Sequence, residues 1–176
     1  APDIFFSGPL LDGRLVVYDG NGRTEIGRSN ATAQAAKNQV ADLVAAGVDF
    51  IKIYELVSPD VFAALVESAG AANIPIAAHV PLSMVADTAG PRVQSMEHLR
   101  NIEIACADDA ESLFDARQAK IESPGDRSGY ELRRYLHQTQ REVALTTADP
   151  ESDRCQRVIE SLKGTIQVPT LRLNTL

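Results

Sequence analysis

Three residues whose side chains can bind metals or attack carbonyl groups stand near the ends of short apolar segments. Lys52 lies in GVDFIKIY, His79 lies in IPIAAHV and His98 lies in SMEHL. Each segment is short and apolar enough to be a buried β-strand. Imidazole is a common ligand of zinc and related metals, whereas an ammonium ion repels a metal cation. A metal site with two histidines therefore has no use for Lys52 in its charged form.

Burial gives lysine a role at such a site. A buried lysine has a lowered pKa, so its amine becomes neutral and nucleophilic. A neutral amine takes up carbon dioxide and becomes a carbamate, which is a carboxylate on a long arm that can bridge two divalent metals. Two metals about 3.5–4 Å apart generate hydroxide and polarise a carbonyl group for hydrolysis. Lys52, His79 and His98 together therefore suggest a hydrolytic metal centre.

The elements around these segments alternate in a way that brings the three residues together. The sequence predicts strands at residues 3–7, 50–54, 74–80, 95–99 and, more weakly, 166–171. It predicts helices at residues 33–44, 83–89, 109–119 and 129–143, and also after Ser58-Pro59 and Asp149-Pro150. Such alternation forms a parallel sheet, whose carboxyl strand ends carry the chemistry. Neighbouring strands lie about 4.8 Å apart, so we expect one shared site.

The other polar candidates have structural interpretations. A lone lysine or histidine in a strand more often reaches solvent or makes a core hydrogen bond, and only the coincidence of three positions favours a site. His137, among Gln and Arg in a predicted helix, is interpreted as a surface residue. Glu97 is predicted to point away from His98 and to make a structural hydrogen bond. Cys106 and Cys155 lack metal-ligand spacing, and we predict free thiols.

Composition excludes several classes of function. The 176 residues are 44% hydrophobic and 23% charged, as in ordinary globular proteins. The net charge of −7 argues against binding to nucleic acid or to an anionic membrane. No apolar run approaches the ~20 residues that cross a bilayer, and the N-terminal segment has no signal-peptide pattern, which leaves the compartment open. Neither GxGxxG nor GxxxxGK[ST] occurs, so common nucleotide-binding motifs are absent from the sequence.

At these segments the sequence resembles the metal-dependent amidohydrolase superfamily, and most of all its imidazolonepropionase-like and prolidase-like branch. The matching segments, in order, are IFFSGPLLDG, GVDFIKIY, IPIAAHVP, SMEHL and, after a helical excursion, VPTL. The resemblance implies a (β/α)₈ barrel in which Lys52 carries a carbamate and bridges two divalent metals, with zinc the expected ion. It implies that His79 and His98 bind one of these metals.

The resemblance also implies a small-molecule amide or peptide as substrate. Tyr54, two residues past Lys52, is predicted to point to the same side and to line the substrate pocket. The alternative for Tyr54 is an aromatic residue at the rim with no contact to substrate.

The sequence departs from the family pattern in two places. The family has a His-x-His pair on its first strand and an aspartate on its eighth, and neither matches here. By resemblance, residues 1–176 are one incomplete barrel domain, strands three to seven, with about five parallel strands and covering helices. We therefore expect the isolated chain to lack a catalytic acid or base and to be inactive. Unpaired edges at residues 3–7 and 166–171 predict self-association or homo-oligomers.

Two other functions remain open. GVDFIKIY also resembles the lysine strand of deoxyribose-phosphate aldolases, in which the lysine forms a Schiff base with a carbonyl substrate. An aldolase gives no reason for His79 and His98, however, and IYELVSPD does not resemble the phosphate-holding segment of that family. The second alternative is a non-catalytic remnant that folds or associates. Borohydride trapping and metal content distinguish these possibilities.

Overall fold

The computed structural model describes residues 3–170, which are organised around a six-stranded parallel sheet. The strands are β1 (Leu10–Asp12), β2 (Gly27–Ser29), β3 (Ile51–Ile53), β4 (Ile76–Ala78), β5 (Ser95–Glu97) and β6 (Ile166–Val168). Their order is β2-β1-β3-β4-β5-β6, and every pairing is parallel. The predicted α/β fold, with the parallel strands and covering helices of a partial (β/α)₈ barrel, is confirmed, with one strand more than expected.

The first predicted strand is wrong. Residues 3–7 form no strand, and Ile4 and Phe5 are exposed. This segment is joined to the chain before β3 by two hydrogen bonds of 2.9 Å between Phe6 and Asp49, and it turns at Gly8, whose φ is +71°. The neighbour of β3 is instead β1, with Leu10 opposite Lys52.

One edge of the sheet is therefore not where the sequence predicts it. The edge strand is β2, whose sequence GRS has no apolar pattern by which it could be recognised. The other edge is β6, within the predicted strand 166–171, of which Leu171 lies outside the described residues.

Eight α-helices lie in the described residues: α1 (Ala33–Ala45), α2 (Pro59–Ala71), α3 (Ala86–Ala89), α4 (Ile102–Cys106), α5 (Ala110–Glu122), α6 (Gly129–Leu136), α7 (Glu142–Thr147) and α8 (Asp153–Ser161). A 3₁₀ turn, Gly90–Arg92, follows α3, and a π-helical segment, His137–Arg141, joins α6 to α7. Ser58 stands at the N-cap of α2, before Pro59, but its side chain makes no capping hydrogen bond; Ser128 and Glu131 form the predicted capping box of α6. Within residues 3–170, no helix is long and apolar enough to cross a membrane.

The main core lies on one face of the sheet, against α1, α2, α3, α4 and α8. Alternation along the strands sends Ile51, Ile53 and Met96 to this face, where they are buried against helix residues such as Phe62 and Leu65. The other face, the inner face, carries Lys52 beside Ala77, and Ala77 beside Ser95, in register on β3, β4 and β5. Because side chains alternate between the two faces along a strand, Lys52 lies on the inner face.

The helices α4 to α8, residues 102–161, form the helical excursion between β5 and β6. A disulfide joins Cys106, at the end of α4, to Cys155 in α8, across 49 residues. The prediction of free thiols is therefore wrong. Both cysteines are buried, and the pairing arises because α4 packs against α8, a contact that no sequence spacing reports.

Candidate functional site

The two strand-end histidines meet at the carboxyl edge of the sheet. His79 follows β4 and His98 follows β5, and their rings pack edge to face with centroids 4.7 Å apart. Burial lowers the pKa of both imidazoles. Glu55 partly opposes this effect at His79, and the nearby charge of Lys52 adds to it at both rings. The structure therefore brings the three predicted residues to one region, with the histidines biased to the neutral form that binds metals. Their role as metal ligands stays a prediction.

A left-handed backbone turns the chain at His98. The φ angles of His98, Leu99 and Asn101 are +67°, +53° and +66°, a conformation that costs non-glycine residues about 1–3 kcal/mol each and is concentrated at functional sites. The His98 amide continues the sheet by donating to Val168 over 2.8 Å. The ring Nδ1 of His98 contacts the hydroxyl of Thr170. This turn orients the imidazole towards His79.

The ring of His79 is held by a buried carboxylate. Its Nδ1 lies 2.7 Å from Oε1 of Glu55, which is fully buried directly beyond β3. Burial opposes the charge of Glu55, but hydrogen bonds from His137 and His79 and the charge of Arg133 hold its pKa well below the usual range. An ionised carboxylate only accepts, so Nδ1 of His79 carries the proton and Nε2 has the free lone pair. Metal-bound histidines are typically oriented in this way.

Two further side chains reach Glu55 from the helical excursion. Nη2 of Arg133 lies 3.0 Å from Oε1, and Nε2 of His137 lies 2.5 Å from Oε2. The interpretation of His137 as a surface residue is therefore wrong: its side chain is 13% exposed. Glu55 itself was not a candidate in the sequence. The signal for it is an acidic residue directly after an apolar strand, in IKIYE.

Lys52 faces a second carboxylate. Its Nζ lies 3.7 Å from Oε1 of Glu97, and both side chains are 15% exposed. Glu97 therefore lies on the inner face with Lys52. The prediction that it points away from the site is wrong. Burial lowers the pKa of Lys52, while Glu97 opposes this effect. A carbamate on Lys52 would place two anions together, so it fits here only if cations lie beside it.

Tyr54 is buried behind His79. It is 5% exposed, and its ring centroid lies 4.4 Å from that of His79 and 5.7 Å from that of Tyr18. Tyr54 is thus on the predicted side of the sheet, in contact with a site residue. Its contact with substrate stays a prediction.

The described residues supply only some of the ligands that a metal centre requires. Within residues 3–170, no group of three or more His, Cys, Asp or Glu side chains is arranged to hold a metal ion. His79 and His98 form a pair with the right donor chemistry, and Lys52 adds a ligand only as a carbamate. The residues therefore fit a divalent metal incompletely.

Solved structures similar to this chain include proteins named as amidohydrolases, a prolidase and an ochratoxinase. A bottromycin amidohydrolase is 22% identical over 92% of the chain, with a TM-score of 0.48. A prolidase crystallised with N-methylphosphonate-L-proline is 18% identical over 94%, with a TM-score of 0.47, and the A. niger ochratoxinase is 16% identical over 96%, with a TM-score of 0.45. The chain spans 42%, 47% and 47% of those proteins, respectively. No protein-family model and no curated protein sequence matches it.

Proposed function

We propose that the chain is part of a metal-dependent hydrolase of C–N bonds, to which Lys52, His79 and His98 contribute metal ligands. The observation that carries this proposal is the edge-to-face contact of the two histidine rings at neighbouring strand ends, with Nδ1 of each ring already engaged. A divalent metal, with zinc the expected ion, supplies hydroxide and polarises a carbonyl group when it is bound. The substrate class is a small amide or a peptide.

Each residue of the site has a defined part in this proposal. Glu55 keeps the proton of His79 on Nδ1, which leaves Nε2 as the ligand atom. His98, on the left-handed turn, presents its ring beside that of His79. Lys52, as a carbamate derived from carbon dioxide, would supply the bridging anion if two metals were bound, and Tyr54 would line the substrate pocket.

Metal binding by the chain tests the proposal. Zinc or cobalt affinity, measured by calorimetry, should be lost in His79→Ala and in His98→Ala. With ¹³C-labelled bicarbonate, the metal-loaded chain should show a carbamate carbon signal that is absent in Lys52→Ala. The matched control is Lys37→Ala, because Lys37 is exposed on α1, and it should keep the signal. Unchanged metal affinity in both histidine variants would contradict the proposal.

The parent enzyme provides the activity test. There, Lys52→Ala should abolish or greatly reduce amide hydrolysis and lower the metal content, because no neutral side chain replaces a bridging anion. Full metal content and full activity in that variant would mean that Lys52 is structural.

The isolated chain should be inactive and self-associated. The described residues offer two imidazoles and Lys52 but no further ligand cluster. The strand edge at β6 exposes Ile166 and Val168, and unpaired edges recruit partners. Light scattering should show oligomers, and amidase and dipeptidase assays should show no turnover. A monomer at high concentration would contradict the association, and metal-dependent turnover lost in His79→Ala would contradict the inactivity.

A Schiff-base enzyme of the aldolase type is the second candidate. The observation that favours it is the burial of Lys52, whose side chain is 15% exposed; burial lowers the pKa of the amine, as its attack on a carbonyl group requires. Borohydride reduction with a carbonyl substrate should then leave a covalent adduct on Lys52, detectable by mass spectrometry. Absence of the adduct together with metal binding would reject this candidate.

A further inference from the structure

Glu55 is the point at which the sheet and the helical excursion share one charged group. The carboxylate is fully buried and stands between three donors: His79 from the sheet, and Arg133 and His137 from the excursion. Oε1 faces His79 and Arg133, at 2.7 and 3.0 Å, while Oε2 faces His137 at 2.5 Å. Both oxygens are therefore engaged, and rotation of the carboxylate would break contacts on both sides.

The excursion is built to present two donors at once. Arg133 and His137 are four residues apart, so they lie on the same side of the helix. The helix continues through the π-helical segment to Arg141, whose Nε lies 2.7 Å from Oε1 of the buried Glu103. A second ion pair thus fixes the same helix, and the positions of Arg133 and His137 are set by the fold around them.

We propose that Arg133 and His137 are positioning residues, which act through Glu55 to fix the ring orientation and the Nδ1–H tautomer of His79. The inference rests on the proposed metal-binding role of His79. Arg133 and His137 do not contact the metal or the substrate in this scheme. They hold the carboxylate in one orientation, and the carboxylate holds the imidazole with Nε2 presented to the site.

The alternative is that this cluster only ties the excursion to the sheet. In that case its loss would lower stability and leave the tautomer of His79 and the affinity for metal unchanged. Two readouts on the full chain therefore separate the roles: the ¹⁵N chemical shifts of the His79 ring without metal, and cobalt affinity together with the cobalt visible spectrum.

The decisive comparison is among His137→Leu, His137→Gln and Arg134→Met. His137→Leu removes the donor to Oε2, so the Nδ1–H form of His79 should become mixed and cobalt should bind about 10–100-fold more weakly, as for other groups behind a metal ligand. His137→Gln keeps an N–H donor and should recover most of the affinity. Arg134 neighbours Arg133 but is exposed, so Arg134→Met should change neither readout.

Glu55→Gln and the pair Arg133→Met and Arg133→Lys extend the comparison. Glu55→Gln should abolish the tautomer preference, and Arg133→Lys should retain more affinity than Arg133→Met because the charge remains. Wild-type cobalt affinity and an unchanged His79 tautomer in His137→Leu would overturn the positioning role alone. A wild-type chain that binds neither zinc nor cobalt would overturn the metal-binding function, and the positioning role with it.

Discussion

Two fully buried carboxylates, Asp12 at the end of β1 and Glu55 beyond β3, have partners of different kinds. Within residues 3–170, the Asp12 carboxylate accepts from two backbone N–H groups, those of Val17 at 2.9 Å and Leu56 at 2.7 Å. Glu55 accepts from the side chains of His79, Arg133 and His137. One carboxylate is held by loops that follow the strands, and the other is held largely by the helical excursion.

This difference in partners gives the two carboxylates opposite charge behaviour. Burial raises the pKa of Asp12 to about 7, because two neutral donors offset only part of the lost hydration, and the negative charge of Glu55 adds to the effect. The same burial acts on Glu55, but its side-chain partners lower its pKa well below the usual range. The excursion therefore sets the charge at the site, while the strand loops alone leave a carboxyl group that protonates readily.

The largest expected effect is the pH dependence caused by Asp12. Between its ordinary pKa of 3.8 and about 7, the folded protein holds a proton that the unfolded chain has lost. The contribution of Asp12 to stability is therefore fully present below about pH 4 and is lost as the pH rises through about 7. A pKa difference of one corresponds to about 1.4 kcal/mol, so the loss is about 4 kcal/mol.

Urea unfolding of the wild type and of Asp12→Asn between pH 4 and 8 measures this effect. Asparagine does not titrate, so the variant should lack this fall in the free energy of unfolding. Identical slopes in the two proteins would mean that Asp12 is ionised in the folded state at all these pH values.

Removal of the disulfide should have the next largest effect. The double variant Cys106→Ala, Cys155→Ala frees a loop of 49 residues that contains Arg133 and His137, and it should lose about 3 kcal/mol of unfolding free energy. Hydrogen exchange should accelerate in α5 to α7 more than in β1 and β3. A reducing agent should affect the wild type and not the variant, and uniform acceleration in all elements would contradict a local role.

The ion pair between Arg141 and Glu103 is the second anchor of the excursion. Arg141→Met removes the cation 2.7 Å from a buried carboxylate and should cost about 2 kcal/mol, because the charge of Glu103 stays buried without its partner. The control is Arg154→Met, because Arg154 is 42% exposed and lies 3.8 Å from Glu111, which is 91% exposed. It should cost less than about 0.5 kcal/mol. Equal losses of unfolding free energy in the two variants would show that burial of Glu103 does not strengthen its ion pair.

The smallest expected effect is at the start of α6. Ser128 caps this helix by accepting from the Glu131 amide and donating to its carboxylate, so Ser128→Ala should cost about 1 kcal/mol. Ser123→Ala, at an exposed position after α5, should change thermal stability little. A loss of His79 tautomer preference in Ser128→Ala would mean that the helix start, and not the side chains on it, controls Glu55.

Local sequence patterns predicted much of this molecule, and contacts between distant segments explain what they missed. The strand-end positions of Lys52, His79 and His98, the first two helices and the capping box follow from periodicity and cap residues within a few positions of one another. The contacts of Glu55 with His79, Arg133 and His137 span 24, 78 and 82 residues.

The other errors have the same physical origin. The Cys106–Cys155 pairing depends on how α4 meets α8, and β2 is a strand because β1 lies beside it. The apolar segment at residues 3–7 has strand-like composition but no neighbouring strand to pair with. Composition alone gives no information on such neighbours.

The π-helical segment, His137–Arg141, makes the number of residues per turn of this helix critical for its contacts with Glu55 and Glu103. A π turn holds one residue more than an α turn, so deletion of Thr139 would leave a continuous α-helix. The wide turn absorbs the extra residue, so both ends of that helix would stay in place. A regular α-helix that kept Thr139 would instead rotate every later residue by about 100°. Arg141 and the buried Ala144 would leave Glu103 and the core, while His137 kept its place on Glu55. The π turn is what lets this helix hold both anchors.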